Sequence, residues 1–177
     1  MKLLLDRRRE ATIASITEET ITAAATCGQT PILDLLSQQN GLISVQDEWR
    51  CIAKFYNVAK AGDIRRVEQL IHQGTKSDMK NIRGETPLWI AAKNEHHAVV
   101  KVLAQRTDVN VNSTSITGRS PLFWPSENGN ERIAAILMEA GADSDLVDEN
   151  GDTAVTVARK NGRRSIVKVL ERSGRTS

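Results

Sequence analysis

The sequence predicts an all-α solenoid of stacked antiparallel helix pairs behind a helical N-terminal cap. Three observations predict it. Gly84-Glu85-Thr86-Pro87-Leu88 returns as Gly118-Arg119-Ser120-Pro121-Leu122 and again as Gly151-Asp152-Thr153-Ala154-Val155, at spacings of 34 and 33 residues. A fixed period near 33 marks a repeat architecture. Each copy is followed by two apolar runs with helical spacing. Aromatic residues make up only 3% of the chain, which suits thin helix layers filled by alanine, valine and leucine.

Residues 1–49 read as shorter helical-hairpin repeats. Leu3 to Leu5 open a leucine-rich helix half, and Ser15 with Glu18 stand in capping-box spacing at the start of the next helix. Thr30-Pro31 begins a third that ends near Asn40-Gly41. The segment 45–49 then echoes 16–20. Units of 50–83, 84–117, 118–150 and 151–177 follow, the last as a C-terminal cap. In each, a hydroxyl at Thr86 or Ser120 is placed to cap a first helix, with Pro87 or Pro121 at the position that needs no backbone N–H. Leu88, Ala91 and Ala92 continue that helix, and Leu88 and Ala91 are expected to be fully buried. After Asn94-Glu95-His96 comes a second helix carrying Val99, Val100, Val102 and Leu103. Its counterparts carry Ile133, Ala134, Ile136 and Leu137, then Ile166, Val167, Val169 and Leu170. One such pair cannot bury its own apolar faces, so the units must stack.

These residues resemble the ankyrin repeat. The pattern G-x-T-P-L-x-x-A-A, then G-H-x-x-V-V-x-x-L-L, then G-A-D, is matched by GETPLWIAAKNEHHAVVKVL and by NGNERIAAILMEAGAD. One repeat earlier Phe55 and Ala59 stand in phase, and AGDIRRVEQLIHQG supplies the second helix. The resemblance covers residues 50–177. The preceding segment is similar to the leucine-rich helical repeats of some fungal NACHT-type receptor proteins, and Met1 falls on a second-helix pattern, as expected of a fragment of a longer relative.

Departures from the pattern carry expectations of their own. Trp89 and Phe123 replace the usual histidine, which implies loss of its hydrogen bonds between repeats. Pro125 takes an alanine place inside a first helix and should distort or shorten it. The segment Asn110 to Thr117 is about two residues longer than its counterparts, so that loop should protrude or bulge. His96 falls at the G-H position, which implies a structural hydrogen bond.

Composition excludes several function classes. A net charge of +2 gives no bias toward nucleic acid. No apolar run approaches the ~20 residues of a membrane-spanning helix, and no signal peptide follows Met1-Lys2. Cys27 and Cys51 have no metal-ligand spacing and read as reduced thiols, so a cytosolic or nuclear site is expected. There is no G-x-x-x-x-G-K-[ST] loop. His96 and His97 are adjacent and cannot face one zinc ion. Residues 143–154 resemble a calcium loop but place Ala154 where a glutamate is required. Neither a catalytic residue nor a cofactor or metal site is expected. Charge is uneven: residues 118–150 hold seven acids against two bases, and 151–177 the reverse. Asp145, Asp148, Glu149 and Asp152 could form an acidic finger, although mutually neutralising solvated faces are the simpler reading.

Function follows from the resemblance. It implies a monomeric, non-catalytic adaptor or scaffold whose protein partner docks on the concave side, formed by finger turns and first helices. Mapped onto this chain, that side comprises Ile82, Arg83 and Glu85, then Trp89, Lys93 and Asn94. The next unit supplies Ile116, Thr117 and Arg119, with Phe123, Glu127 and Asn128, and the third finger supplies Glu149, Asn150 and Asp152. Finger side chains such as Arg83, Arg119 and Asp152 are expected to face solvent. The alternative is a structural or vestigial sensor fragment of a larger NACHT-type receptor, with no partner of its own.

Overall fold

The computed structural model describes residues 43–173. Of the hairpins expected over residues 1–49, the part up to residue 42, including the Ser15–Glu18 box, the Thr30-Pro31 helix and Cys27, lies outside the described residues. The chain divides into two compact units, 1–54 and 55–177. Helix α1 (Ile43–Ala61) runs through that division and carries the exposed, free thiol of Cys51 in the first unit.

The second unit holds the repeats. Its further helices are α2 (Ile64–His72), α3 (Pro87–Lys93), α4 (His97–Ala104), α5 (Phe123–Asn128), α6 (Glu131–Glu139), α7 (Ala154–Lys160) and α8 (Arg164–Ser173). The first helices α3, α5 and α7 pack in one row, and α2, α4, α6 and α8 in a second row behind them. Between the rows lies a continuous core. Leu88, Leu103, Leu122, Ile133, Leu137, Ile166 and Leu170 are essentially without solvent contact, and so is Ala91. Small alanines at Ala91, Ala92 and Ala158 let the rows approach. Among the described residues there is no strand, only an isolated antiparallel bridge between Val147 and Thr153.

Local chemistry sets the helix starts. The Thr86 hydroxyl accepts the Trp89 N–H at 3.2 Å, and Pro87 follows as the first helical residue. Asp63 and Asn130 cap α2 and α6 by accepting from Arg66 N–H and Ile133 N–H. At α7, Thr153 and Thr156 form a reciprocal capping box. These bonds satisfy donors that a helix leaves open at its first turn.

The third repeat departs from this plan. Ser120 does not cap a helix: its hydroxyl is buried without a partner, and its carbonyl accepts the Phe123 N–H in a tighter turn. Helix α5 therefore begins late, with Leu122 at its N-cap, and has six residues. Pro125 is the cause. A regular helix begun at Pro121 would place the Pro125 ring against the Pro121 carbonyl. Starting at Phe123 puts Pro125 in the first turn, where no N–H is needed. The helix is shortened as expected, but the shift relieves the proline rather than straining it.

The long 110–117 loop is tied down along much of its length, with Ile116 exposed at its tip. Val111, Ser113 and Ser115 are buried. Asn112 ties the loop to the next repeat, accepting the Asp143 N–H at 2.8 Å and donating to the Gly141 carbonyl at 3.2 Å. The extra length is folded inward because these polar groups find partners one repeat along.

The turns inside the helix pairs need a left-handed residue. Gly62, Gly129 and Gly162 provide it with φ of +73°, +91° and +69°. The second full repeat has Glu95 there, at φ 60°. Such a backbone is unfavourable for a residue with a Cβ. His96 beside it bonds through Nε2 to the Lys60 carbonyl at 2.8 Å, the structural hydrogen bond expected for it.

Candidate protein-binding groove

Each finger is a tight turn built by its own sequence. The N–H of Asn81, Ser115 and Asp148 bonds to the carbonyl of Glu85, Arg119 and Asp152 respectively. Side chains fasten two of the turns: Asn81 Oδ1 accepts from Arg83 and Glu85 N–H, and Asp148 Oδ1 from Asn150 and Asp152 N–H. Successive fingers join edge to edge, Ile116 N–H to the Arg83 carbonyl at 2.8 Å and Glu149 N–H to the Thr117 carbonyl at 3.0 Å. Gly118 permits that approach, since a Cβ there would lie 2.9 Å from the Val147 carbonyl oxygen.

Between these fingers and the first helices lies a groove of about 400 Å³. Arg83, Glu85, Trp89, Lys93, Ile116, Thr117, Arg119 and Glu149 line it, together with Ser115 and Trp124. Eight residues expected at the binding surface thus meet at one place. Trp89 and Trp124 pack edge to face, with centroids 5.0 Å apart and planes at 86°. Lys93 Nζ lies 5.1 Å from the Trp89 ring centroid and 4.6 Å from that of Trp124. Arg119 approaches Trp124 at 5.6 Å and forms ion pairs with Glu127 at 3.2 Å and Asp148 at 3.3 Å.

Not every expected contact residue is free to touch a partner. Phe123 has 0% of its surface exposed, and Trp89 has 3%. The bond expected to be lost with the family histidine is made by tryptophan instead: Trp89 Nε1–H donates to the Arg119 carbonyl at 2.9 Å. Glu85 is buried, accepting from the Tyr56 hydroxyl at 2.7 Å and from Asn81 at 2.8 Å. Burial, and then the Glu85 carboxylate, push the Tyr56 hydroxyl well above the ordinary tyrosine range. Asn94 and Asn128 are used between repeats, donating to the Lys60 carbonyl and to the Glu95 carboxylate. Ile82, Arg83, Lys93, Ile116, Asn128, Glu149 and Asn150 remain exposed.

The finger carboxylates and Arg119 also correct an expectation. Asp148 has a side chain only 1% exposed. Burial alone would raise its pKa, but the Asp152 and Asn150 N–H groups and the Arg119 guanidinium outweigh it and hold it below the ordinary value. Asp152 is clasped by Lys160 at 2.6 Å and accepts from the Thr156 hydroxyl. Of the expected acidic finger, only Asp145 and Glu149 are exposed. Arg119, half-buried between two carboxylates, is a structural residue as much as a surface one.

Sequence reasoning missed Trp124, Ser115 and the turn-holding role of Asn81. Asn81 had a signal, because an Asn or Asp at that turn position competes well for backbone N–H groups. Trp124 had none, since its place in the groove follows from the late start of α5. Among the described residues no cluster could hold a metal ion, and no helix is long and apolar enough to cross a membrane.

Comparison with known proteins points to one family. The family model for ankyrin repeats matches in three copies, over residues 55–148 and 107–175. The chain is 35% identical to the tyrosine-protein kinase HTK16 of Hydra vulgaris, over 51% of this chain and 12% of that protein. It is 33% identical to YahD of Escherichia coli, named as an ankyrin repeat protein, over 51% of this chain and 46% of YahD. To the target of rapamycin complex 2 subunit AVO2 of Saccharomyces cerevisiae it is 28% identical, over 56% of this chain and 23% of that protein. The chain thus spans less than half the length of each. The segment likened to NACHT-type receptors lies outside the residues that the family model matches, and all of it up to residue 42 lies outside the described residues.

Proposed function

The chain belongs to the ankyrin-repeat family, and we propose that it is a non-catalytic adaptor that holds a protein partner on its finger and first-helix side. The observation that carries this reading is where exposed apolar surface falls. Among the described residues the exposed large hydrophobic side chains are Ile82, Ile116 and Val147, at 51%, 73% and 56%. All three stand on or next to the finger turns, and Ile116 lines the groove. The other leucines, isoleucines and valines whose side chains are described are buried or half-buried. Exposed apolar groups gathered on one side mark an interaction surface.

The test compares two sets of variants in capture from the native cell. Arg83→Ala with Ile116→Ala removes two exposed groove residues. Lys101→Ala, Arg132→Ala and Lys168→Ala alter exposed positions on the backs of α4, α6 and α8. The finger pair should lose the captured partner and the helix triple should keep it. The opposite result would place the binding surface on the second helices.

A further inference from the structure

We propose that the groove takes an extended acidic and apolar peptide segment, with a carboxylate between Arg83 and Lys93 and an apolar side chain against Ile116. This rests on the binding role proposed above and names the chemistry of the partner.

The groove contains three cations in two different states. Arg119 is neutralised by Glu127 and Asp148. Lys93 is held on the faces of Trp89 and Trp124 instead. An aromatic face orients an ammonium group without cancelling its charge. Among the described residues no carboxylate lies within ion-pair distance of Lys93 or Arg83, and both are exposed. Positive charge available to a partner is therefore concentrated at the Arg83 and Lys93 end. Beside it Ile116 presents the most exposed large apolar side chain among the described residues.

Two fingers further along, Glu149 is exposed and has no basic partner among the described residues. The groove thus changes sign along the stack. A segment with one carboxylate followed by neutral or basic residues fits that order. A nucleic-acid strand does not, because it carries a charge at every phosphate and would run its backbone onto Glu149.

The experiment is selection of a random linear peptide library on the immobilised full chain, followed by affinity measurement of the enriched peptides. Peptides with an acid next to apolar residues should be enriched. Lys93→Gln or Arg83→Gln should weaken them roughly tenfold each, the loss expected for a charged hydrogen bond, and added salt should weaken them too. Arg83 is exposed and makes no ion pair, so Arg83→Gln should not move the melting temperature. Lys93→Gln gives up its contacts with the two indole rings and should lower it slightly. Lys101→Gln should leave affinity unchanged. Glu149→Lys should tighten binding of the same acidic peptides. Enriched peptides that are basic or neutral, or that ignore both substitutions, would overturn this inference and leave the binding role standing. An oligothymidylate that displaces the peptides would overturn it also. No enrichment over the bare support would overturn this inference, while the binding role is decided separately by the capture experiment.

Discussion

The indole N–H of Trp89 donates to the backbone carbonyl of Arg119 at 2.9 Å, joining residues 30 apart in the chain. One bond thereby ties a first helix to the finger of the following repeat. The same Arg119 sends its guanidinium to Glu127 and to the buried Asp148 of the finger beyond. A first helix, the finger that follows it and the finger beyond are thus linked through one arginine, by its carbonyl on one side and its side chain on the other.

Trp89→Phe should therefore lower stability while keeping the aromatic packing. The loss is expected at about 0.5–1.5 kcal/mol for the hydrogen bond, with a further contribution from the missing ring. Urea unfolding of the two proteins measures it. An unchanged midpoint would show that the carbonyl is satisfied by water instead.

Pro125→Ala should not stabilise the protein. The proline sits in the first turn of α5, where its missing N–H costs nothing, and it is buried. Alanine would lose packing and would also free the unfolded chain, an effect of about 0.4–1 kcal/mol. The variant is expected to be less stable by roughly 0.5–1.5 kcal/mol. A rise in melting temperature would mean that the late start of α5 is strained.

Glu95→Gly should act in the opposite direction. Glu95 holds the left-handed turn that glycine holds in the other three copies. A left-handed conformation costs a residue with a Cβ about 1–2 kcal/mol. Part of that gain is offset by the Glu95 bond to Asn128 and by the greater freedom of glycine when unfolded. A net stabilisation of about 0.5–1 kcal/mol is expected by thermal or urea unfolding.

The acid limb of stability should depend on Asp148. Its folded pKa lies below the ordinary 3.8, so its contribution is fully present above the unfolded pKa. That contribution is lost as pH falls through the folded value. Asp108, held low first by its Arg106 hydrogen bond, acts with the same sign. Asp78 acts with the other: burial raises its pKa, so its ionisation weakens the fold and acidification relieves that cost. Asp148→Asn should lower the melting temperature at neutrality and flatten its fall below about pH 4. Equal slopes for the two proteins in that range would show that other carboxylates control the acid limb.

The repeat period, the helix pairs, the caps at Thr86 and Thr153 and the exposed tips Ile82 and Ile116 are legible in the sequence. Each is set by nearest neighbours: a hydroxyl before a helix, an apolar residue every third or fourth place, a glycine two residues after the tip. Glu95 and Pro125 are legible as anomalies for the same reason. Their outcomes are not, because a displaced helix start or a tolerated backbone depends on what the adjacent repeat can accommodate. Only the tertiary structure decides that Phe123 and Glu85 are buried, that Arg119 and Asp152 are committed to ion pairs, and that Lys93 and Arg83 are left with their charge. All of these stand at positions that the repeat pattern treats as surface. Glu85, Arg119 and Lys93 each meet a side chain about 30 residues away, Tyr56, Asp148 and Trp124 respectively, and a local pattern contains no term for such partners.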